Sequence, residues 1–191
     1  GDIFYTGNTC SGNRGGGSGA GGFFRYFNTD AGLIEIAKGW WNFIMPFDAD
    51  NDGDLDLVAG NLGLNTRLKA TADEPVRLYV NDFDDNGKQE QILTYYVNGK
   101  ELTFVNKDEL QKKLPVLKKK FLYAEDFAKA SIVEIFGSDK LKKSQVLSAD
   151  YFENSILINN GGLNFTVSPL PWLAQLTPYR DAAVIHANKD S

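Results

Sequence analysis

The sequence predicts a mainly β fold built of strand–loop–strand units and interrupted by a helical insertion. Three features carry that expectation. An acidic nine-residue loop occurs twice, as Asp48-Ala49-Asp50-Asn51-Asp52-Gly53-Asp54-Leu55-Asp56 and as Asp82-Phe83-Asp84-Asp85-Asn86-Gly87-Lys88-Gln89-Glu90, each time between short apolar segments. A strand–turn–strand pattern recurs near the two ends of the chain, and between the copies residues 107–143 change to an apolar spacing of three to four. Apolar residues at 42% and aromatics at 13% are enough for a core, so the richness in Asp is local and no mark of disorder.

Residues 7–22 are a glycine-rich stretch. Gly17-Ser18-Gly19-Ala20-Gly21-Gly22 fits G-x-G-x-x-G, but Phe23-Phe24-Arg25-Tyr26-Phe27 follows as a strand where a nucleotide site needs a helix, and no Lys-Ser/Thr completes a phosphate loop. A flexible loop between two strands is the expectation. The single cysteine, Cys10, permits no internal disulfide. Ser11 to Gly17 resembles the tether that follows a lipid-bearing cysteine, whereas Gly7-Asn8-Thr9 lacks the apolar lead-in of such sites.

Arg25 to Ile36 and Leu157 to Val167 are the paired hairpin signals, each a strand, a turn containing Gly, and a strand. Phe43-Ile44-Met45-Pro46-Phe47 and Leu55-Asp56-Leu57-Val58-Ala59 flank the first acidic loop as short strands. After the second loop, Gln91 to Tyr96 and Lys100 to Val105 enclose Asn98-Gly99, the strongest two-residue hairpin signal. Lys107 to Leu114 and Ala124 to Phe136 then place Leu110, Leu114, Phe127, Ile132, Ile135 and Phe136 at helical spacing, with Pro115 interrupting the first helix and Gly137 capping the second.

The two loops predict a pair of calcium sites. Oxygen-bearing side chains at positions one, three and five (Asp48, Asp50, Asp52; Asp82, Asp84, Asn86), a main-chain carbonyl at seven (Asp54; Lys88) and a carboxylate at nine (Asp56; Glu90) suit a hard cation that takes six to eight oxygens. Glycine at position six supplies the sharp turn that folds the ligands inward. The plain alternative is an acidic surface turn, since Asp, Asn and Gly are common turn residues. Two copies in one register argue against it. The second loop has one ligand carboxylate fewer, which predicts weaker binding and a smaller stability loss for Asn86→Ala than for Asp52→Ala. An EF-hand is excluded, because position twelve is Ala59 in one copy and Leu93 in the other, and the flanks are strands where that motif needs helices.

Asp48-x-Asp50-x-Asp52-Gly53-x-x-Asp56-Leu57, with Val58-Ala59-Gly60-Asn61 after it, resembles the repeat of the FG-GAP/VCBS family, the calcium-loop repeats of integrin-α-like β-propellers. The stretch from Trp41 through Ala183 is also similar to bacterial VCBS-repeat proteins of the kind found in Bacteroidetes, which carry a helical insertion between blades. The resemblance implies a partial β-propeller, structural calcium, and a role in adhesion or in recognition of a protein or glycan. The chain departs from the family pattern at Glu90 and at His186, where an Asp is expected.

Aligning the two hairpin signals sets Phe47 to Gly53 opposite Ile185-His186-Ala187-Asn188-Lys189-Asp190-Ser191, a third loop that begins as the chain stops. A propeller closes with four to eight blades of about 40 to 50 residues each. The 191 residues, with a helical insertion at 107–143, are therefore read as a fragment of one propeller that ends inside a third repeat, with further blades of a parent chain or a partner covering its open blade faces.

A net charge of −5 argues against a duplex nucleic-acid binder. The lysines of the insertion, among them Lys118-Lys119-Lys120, come without an aromatic stacking motif and read as a solvated face, with contact to an acidic polysaccharide or a neighbouring subunit as the other reading. No apolar run is long enough to span a bilayer. One histidine, His186, assembles no Ser-His-Asp or Cys-His arrangement. Glu125 with Asp126, or Asp150 with Glu153, could pair for glycoside hydrolysis only at a spatial separation that sequence does not give. The expected function is a non-catalytic, calcium-stabilised binding module, secreted or on the cell surface, an outer-membrane lipoprotein being one form of this. The alternative is the propeller part of a polysaccharide-active, lyase-like enzyme. Exposed tryptophans among Trp40, Trp41 and Trp172 would favour the binder, and a Lys/Arg/His/Tyr constellation the enzyme.

Overall fold

The protein is described by a computed structural model over residues 38–162 and 164–185. The glycine-rich stretch 7–22, Cys10, the first hairpin signal at 25–36 and His186 with its third loop lie outside the described residues. Strand accounts for 31% of these residues and helix for 22%, so the fold is mainly β. The described residues form two compact units, 38–67 with 151–185, and Leu68–Asp150. Each contains one four-stranded antiparallel sheet.

In the first unit the sheet order is β1 (Phe43–Phe47), β2 (Asp56–Gly60), β7 (Ser155–Asn159) and β8 (Phe165–Pro169). In chain order this is an up-and-down meander, with the whole second unit inserted between β2 and β7. Strand β7 alternates buried and half-buried residues, as a strand with a single core face should. Leu57, Ala59, Leu157 and Phe165 from the sheet close around Trp41, which is 1% exposed and stands 5.8 Å from the Tyr151 ring.

The second unit's sheet runs β5 (Lys100–Thr103), β4 (Glu90–Val97), β3 (Val76–Asn81), β6 (Gln145–Ala149). Strands β4 and β5 are joined by Asn98-Gly99, both at positive φ (52° and 76°), the backbone a primed hairpin turn requires. Between β5 and β6 lie five short helices: α1 (Lys107–Lys113), α2 (Val116–Lys120), α3 (Ala124–Lys129), α4 (Ile132–Phe136) and α5 (Ser138–Lys143). The sequence pattern showed two. Pro115, Ala130 and Gly137 divide them, and local caps hold the ends. Asn106 accepts the Glu109 amide at α1, and Ser131 with Glu134 forms a capping box at α4. That reciprocal bond holds the Glu134 carboxyl below the usual range.

The helices cover one face of this sheet. Leu110, Leu114, Leu117, Phe127, Ile132 and Ile135 bury themselves against Tyr79, Phe83 and Ile92 of the β3–β4 hairpin. Phe83, inside the second acidic loop, packs 4.8 Å from Phe136. The apolar residue at position two of that loop thus fixes it to the core.

Candidate metal centres

Each acidic loop closes a hairpin, the first between β1 and β2 and the second between β3 and β4, in the same register. The residue before position one pairs with position nine in both cases, Phe47 with Asp56 and Asn81 with Glu90. The interior hydrogen bonds match as well. The carboxylate at position nine accepts the amide of position two, Ala49 to Asp56 Oδ2 at 2.7 Å and Phe83 to Glu90 Oε2 at 3.0 Å. The carboxylate at position one accepts the glycine amide of position six, at 3.1 Å for Gly53 to Asp48 and 2.8 Å for Gly87 to Asp82. The side chain at position five accepts the amide of position seven, at 2.8 Å in both copies, Asp54 to Asp52 and Lys88 to Asn86.

The backbone follows the same plan. Position four takes positive φ as Asn51 (62°) and Asp85 (58°), and position six as Gly53 (94°) and Gly87 (81°). Asn and Asp tolerate the left-handed region through local hydrogen bonding, and glycine enters it without steric cost. The spacing of these residue types therefore encodes the loop conformation directly.

The result is two clusters of carboxylates, Asp48, Asp50 and Asp56, and Asp82, Asp84 and Glu90, whose oxygens lie within 4.8 Å of one another in each cluster. Both can hold a metal ion. Asp52 falls outside the first cluster, since its carboxylate turns back to the Asp54 amide. Asn86 does the same for the Lys88 amide. Asp54 and Lys88 are seen only to donate their main-chain amides to position five, and the Lys88 side chain is a cation and no ligand.

Electrostatics favours a cation in both places. Asp56 is fully buried, and its two oxygens are met by main-chain amides, from Ala49 and from Asn159 at 2.8 Å, with no counter-charge in those bonds. Burying an ionised carboxylate without compensation is costly. Partial desolvation, then repulsion from Asp52 and Asp56, raises the Asp50 carboxyl. In the second loop, Asp84 Oδ1 is buried without a hydrogen-bond partner and Glu90 is buried beside it in the cluster. A divalent ion would satisfy that orphaned oxygen.

Sequence reasoning did not find Lys140. From α5 its ammonium donates to the Asp82 carbonyl at 2.8 Å and to the Asp85 carboxylate, while Asn81 Nδ2 donates to the Lys140 carbonyl at 2.8 Å. Desolvation pushes the Asp82 carboxyl up, but the amides of Gly87 and Asn86 and the Lys140 charge hold it below its ordinary value. Nothing in the lysine-rich insertion singles out this one, because the contact spans 55 residues of chain.

A second polar cluster lies on the sheet of the same unit. Glu101 accepts from Arg77 (2.8 Å), Thr94 (2.7 Å), Tyr79 (3.2 Å) and Tyr96 (3.4 Å). Burial, then the Glu101 charge, pushes the Tyr79 hydroxyl up to about 12. In the first unit, Asn61, Asn154 and Gln175 form a fully hydrogen-bonded buried network. Asn61 N–H donates to Asn154 Oδ1 at 2.6 Å, and Asn154 Nδ2 donates to the carbonyls of Ala174 (2.7 Å) and Thr177 (3.1 Å). Of the three tryptophans, Trp41 is buried and Trp172 is 70% exposed. Among the described residues no helix is long and apolar enough to cross a membrane. Compared with known proteins, the chain matches no family model, no curated protein and no solved structure.

Proposed function

We propose that this chain is a calcium-stabilised, non-catalytic recognition module of the FG-GAP/VCBS kind, secreted or displayed at the cell surface as part of a β-propeller. The observation that carries this reading is the repetition of one hairpin loop, with three matched hydrogen bonds and two matched positive-φ positions, once in each compact unit. A turn selected only for solubility has no reason to be built twice with three converging carboxylates.

Calcium is the ion that the donors favour. Every candidate ligand is a carboxylate, amide or carbonyl oxygen, with no His or Cys among them, and an all-protein cage rich in carboxylates suits Ca²⁺ better than Mg²⁺, which keeps several waters. The four-stranded meander β1-β2-β7-β8 has the strand order of a propeller blade, which supports the propeller reading. The ion would neutralise the carboxylates and tie adjacent strands together at their tips.

The polysaccharide-active alternative draws on Arg77, Tyr79, Tyr96 and Glu101, the residue types such chemistry uses. Their hydrogen bonds run to one another, which supports a structural role for them. Calorimetric titration of chelator-treated protein with Ca²⁺, and with Mg²⁺ as control, tests the proposal. Two equivalents of Ca²⁺, the tighter in the first loop, are expected; no uptake of Ca²⁺ overturns it.

A further inference from the structure

We infer a saccharide-binding site in the first unit, in the cleft beside Trp172; the inference deepens the recognition-module reading and rests on it. The cleft holds about 480 Å³, and Leu64, Asn65, Glu153, Trp172 and Leu176 are among its lining residues. That volume lies within the range of roughly 300–1,000 Å³ usual for small-ligand sites.

An indole left 70% exposed at the rim of a concave site is the first unusual feature, since a side chain of this size normally contributes most by being covered. The second is the bracing of the backbone turn that carries it. Trp172 opens a 3₁₀ turn, Trp172–Gln175, just after Pro171, and the Ala174 amide returns to the Pro171 carbonyl at 2.8 Å. The turn ends in Gln175, whose side-chain amide is fully engaged. Its Nε2 donates to the Asn154 and Leu170 carbonyls, both at 2.9 Å, and its Oε1 accepts the Asn154 amide at 2.8 Å.

The facing wall is fastened to the same residue. Leu64 N–H donates to the Gln175 carbonyl at 2.8 Å, and Gly63, at φ +77°, approaches so closely that a Cβ would stand 2.7 Å from that oxygen. Both walls are thus tied to the buried Asn61–Asn154–Gln175 network. A site ordered in advance avoids the entropy that a flexible one loses on binding.

The lining chemistry selects the ligand. A pyranose presents a flat C–H face to an aromatic ring and a rim of hydroxyls to polar neighbours, which here are Glu153 and Asn65, the latter with its Nδ2 also donating to the Leu176 carbonyl at 3.2 Å. Among the described residues no lysine or arginine lines the cleft to receive a phosphate. The Glu153 charge also disfavours uronates, so the site suits neutral sugars.

The test is calorimetric titration of the full chain in calcium with neutral glucose-, mannose- and N-acetylglucosamine-based hexasaccharides, and with a hexauronate as the charged control. One neutral series binds. Trp172→Ala weakens it roughly tenfold or more, Trp172→Phe keeps part of it, and neither changes calcium stoichiometry or melting. Glu153→Gln lets the hexauronate bind. The inference is overturned if no neutral hexasaccharide binds, if Trp172→Ala binds as well as the parent, or if Trp172→Ala merely abolishes self-association, which would make this face a protein contact. Absent calcium uptake is a separate result and defeats the recognition-module reading itself.

Discussion

Asp56 and Glu90 occupy one structural role in two different sheets. Each is buried, each pairs across its hairpin with the residue before position one, and each accepts the amide of the residue seven positions earlier in the chain. They differ in length by one methylene, and only Asp56 has its second oxygen bonded to another strand, through Asn159. The first site is therefore tied to the sheet beyond its own hairpin, whereas the second is tied to α5 through Lys140.

Removal of calcium should lower the melting temperature. At an ion concentration one hundred times the dissociation constant, binding adds about 2.7 kcal/mol per site, roughly 5–10 °C for a chain of this size. Scanning calorimetry with excess chelator and with calcium measures this, and coincident curves from verified metal-free protein refute it.

Asp52→Ala and Asn86→Ala remove the same bond, from the position-seven amide, at the same 2.8 Å. In chelator both should therefore cost a similar amount, about 1 kcal/mol. In calcium Asp52→Ala should cost more, because it also removes one of the negative charges of the first loop that attract the ion. Urea unfolding of both variants with and without calcium gives the comparison, and an Asn86→Ala variant that suffers more in calcium reverses the ranking of the sites.

Asn154→Ala should destabilise the protein by about 3 kcal/mol or more, as the Asn61 amide and the carbonyls of Ala174 and Thr177 lose their partner in a buried place. The same measurement on an exposed asparagine such as Asn160 sets the baseline. Equal losses at the two positions contradict the role given to the network.

Alkaline stability follows from Tyr79 and Tyr151, both pushed up to about 12, chiefly by burial. The folded state keeps these protons where the unfolded chain gives them up, so stability should fall as pH rises from about 10 towards 12. Glu101→Gln should lower the Tyr79 midpoint without restoring its ordinary value, since burial remains. Tyrosinate absorbance follows both, and a midpoint that stays put in Glu101→Gln rules out the Glu101 contribution.

The acidic loops were legible in the sequence because their conformation is local. Asp, Asn and Gly at fixed positions supply the short-range acceptors and the positive φ that the turn consumes, and three carboxylates converge as a consequence. The Asn98-Gly99 turn and the apolar faces of Leu110, Leu114, Phe127, Ile132 and Ile135 were legible for the same reason. The division into five helices was less so, because short segments end on single residues such as Ala130. Long-range choices left no mark. Asn61 and Asn154 meet across 93 residues, and nothing distinguishes them in sequence from exposed Asn160. Lys140 is likewise one lysine among many until the fold brings it to Asp85.

Helices α1 to α4 supply most of the side chains that shield Tyr79, Phe83 and Ile92, so the stretch between β5 and β6 is interior material and no ornament on a finished sheet. A lineage could recolour its outward lysines freely, but it could not shorten this stretch without leaving an oily, unpaired sheet face in water, the usual starting point of aggregation. The segment is therefore part of the folding unit: without it the sheet has no cover for this face.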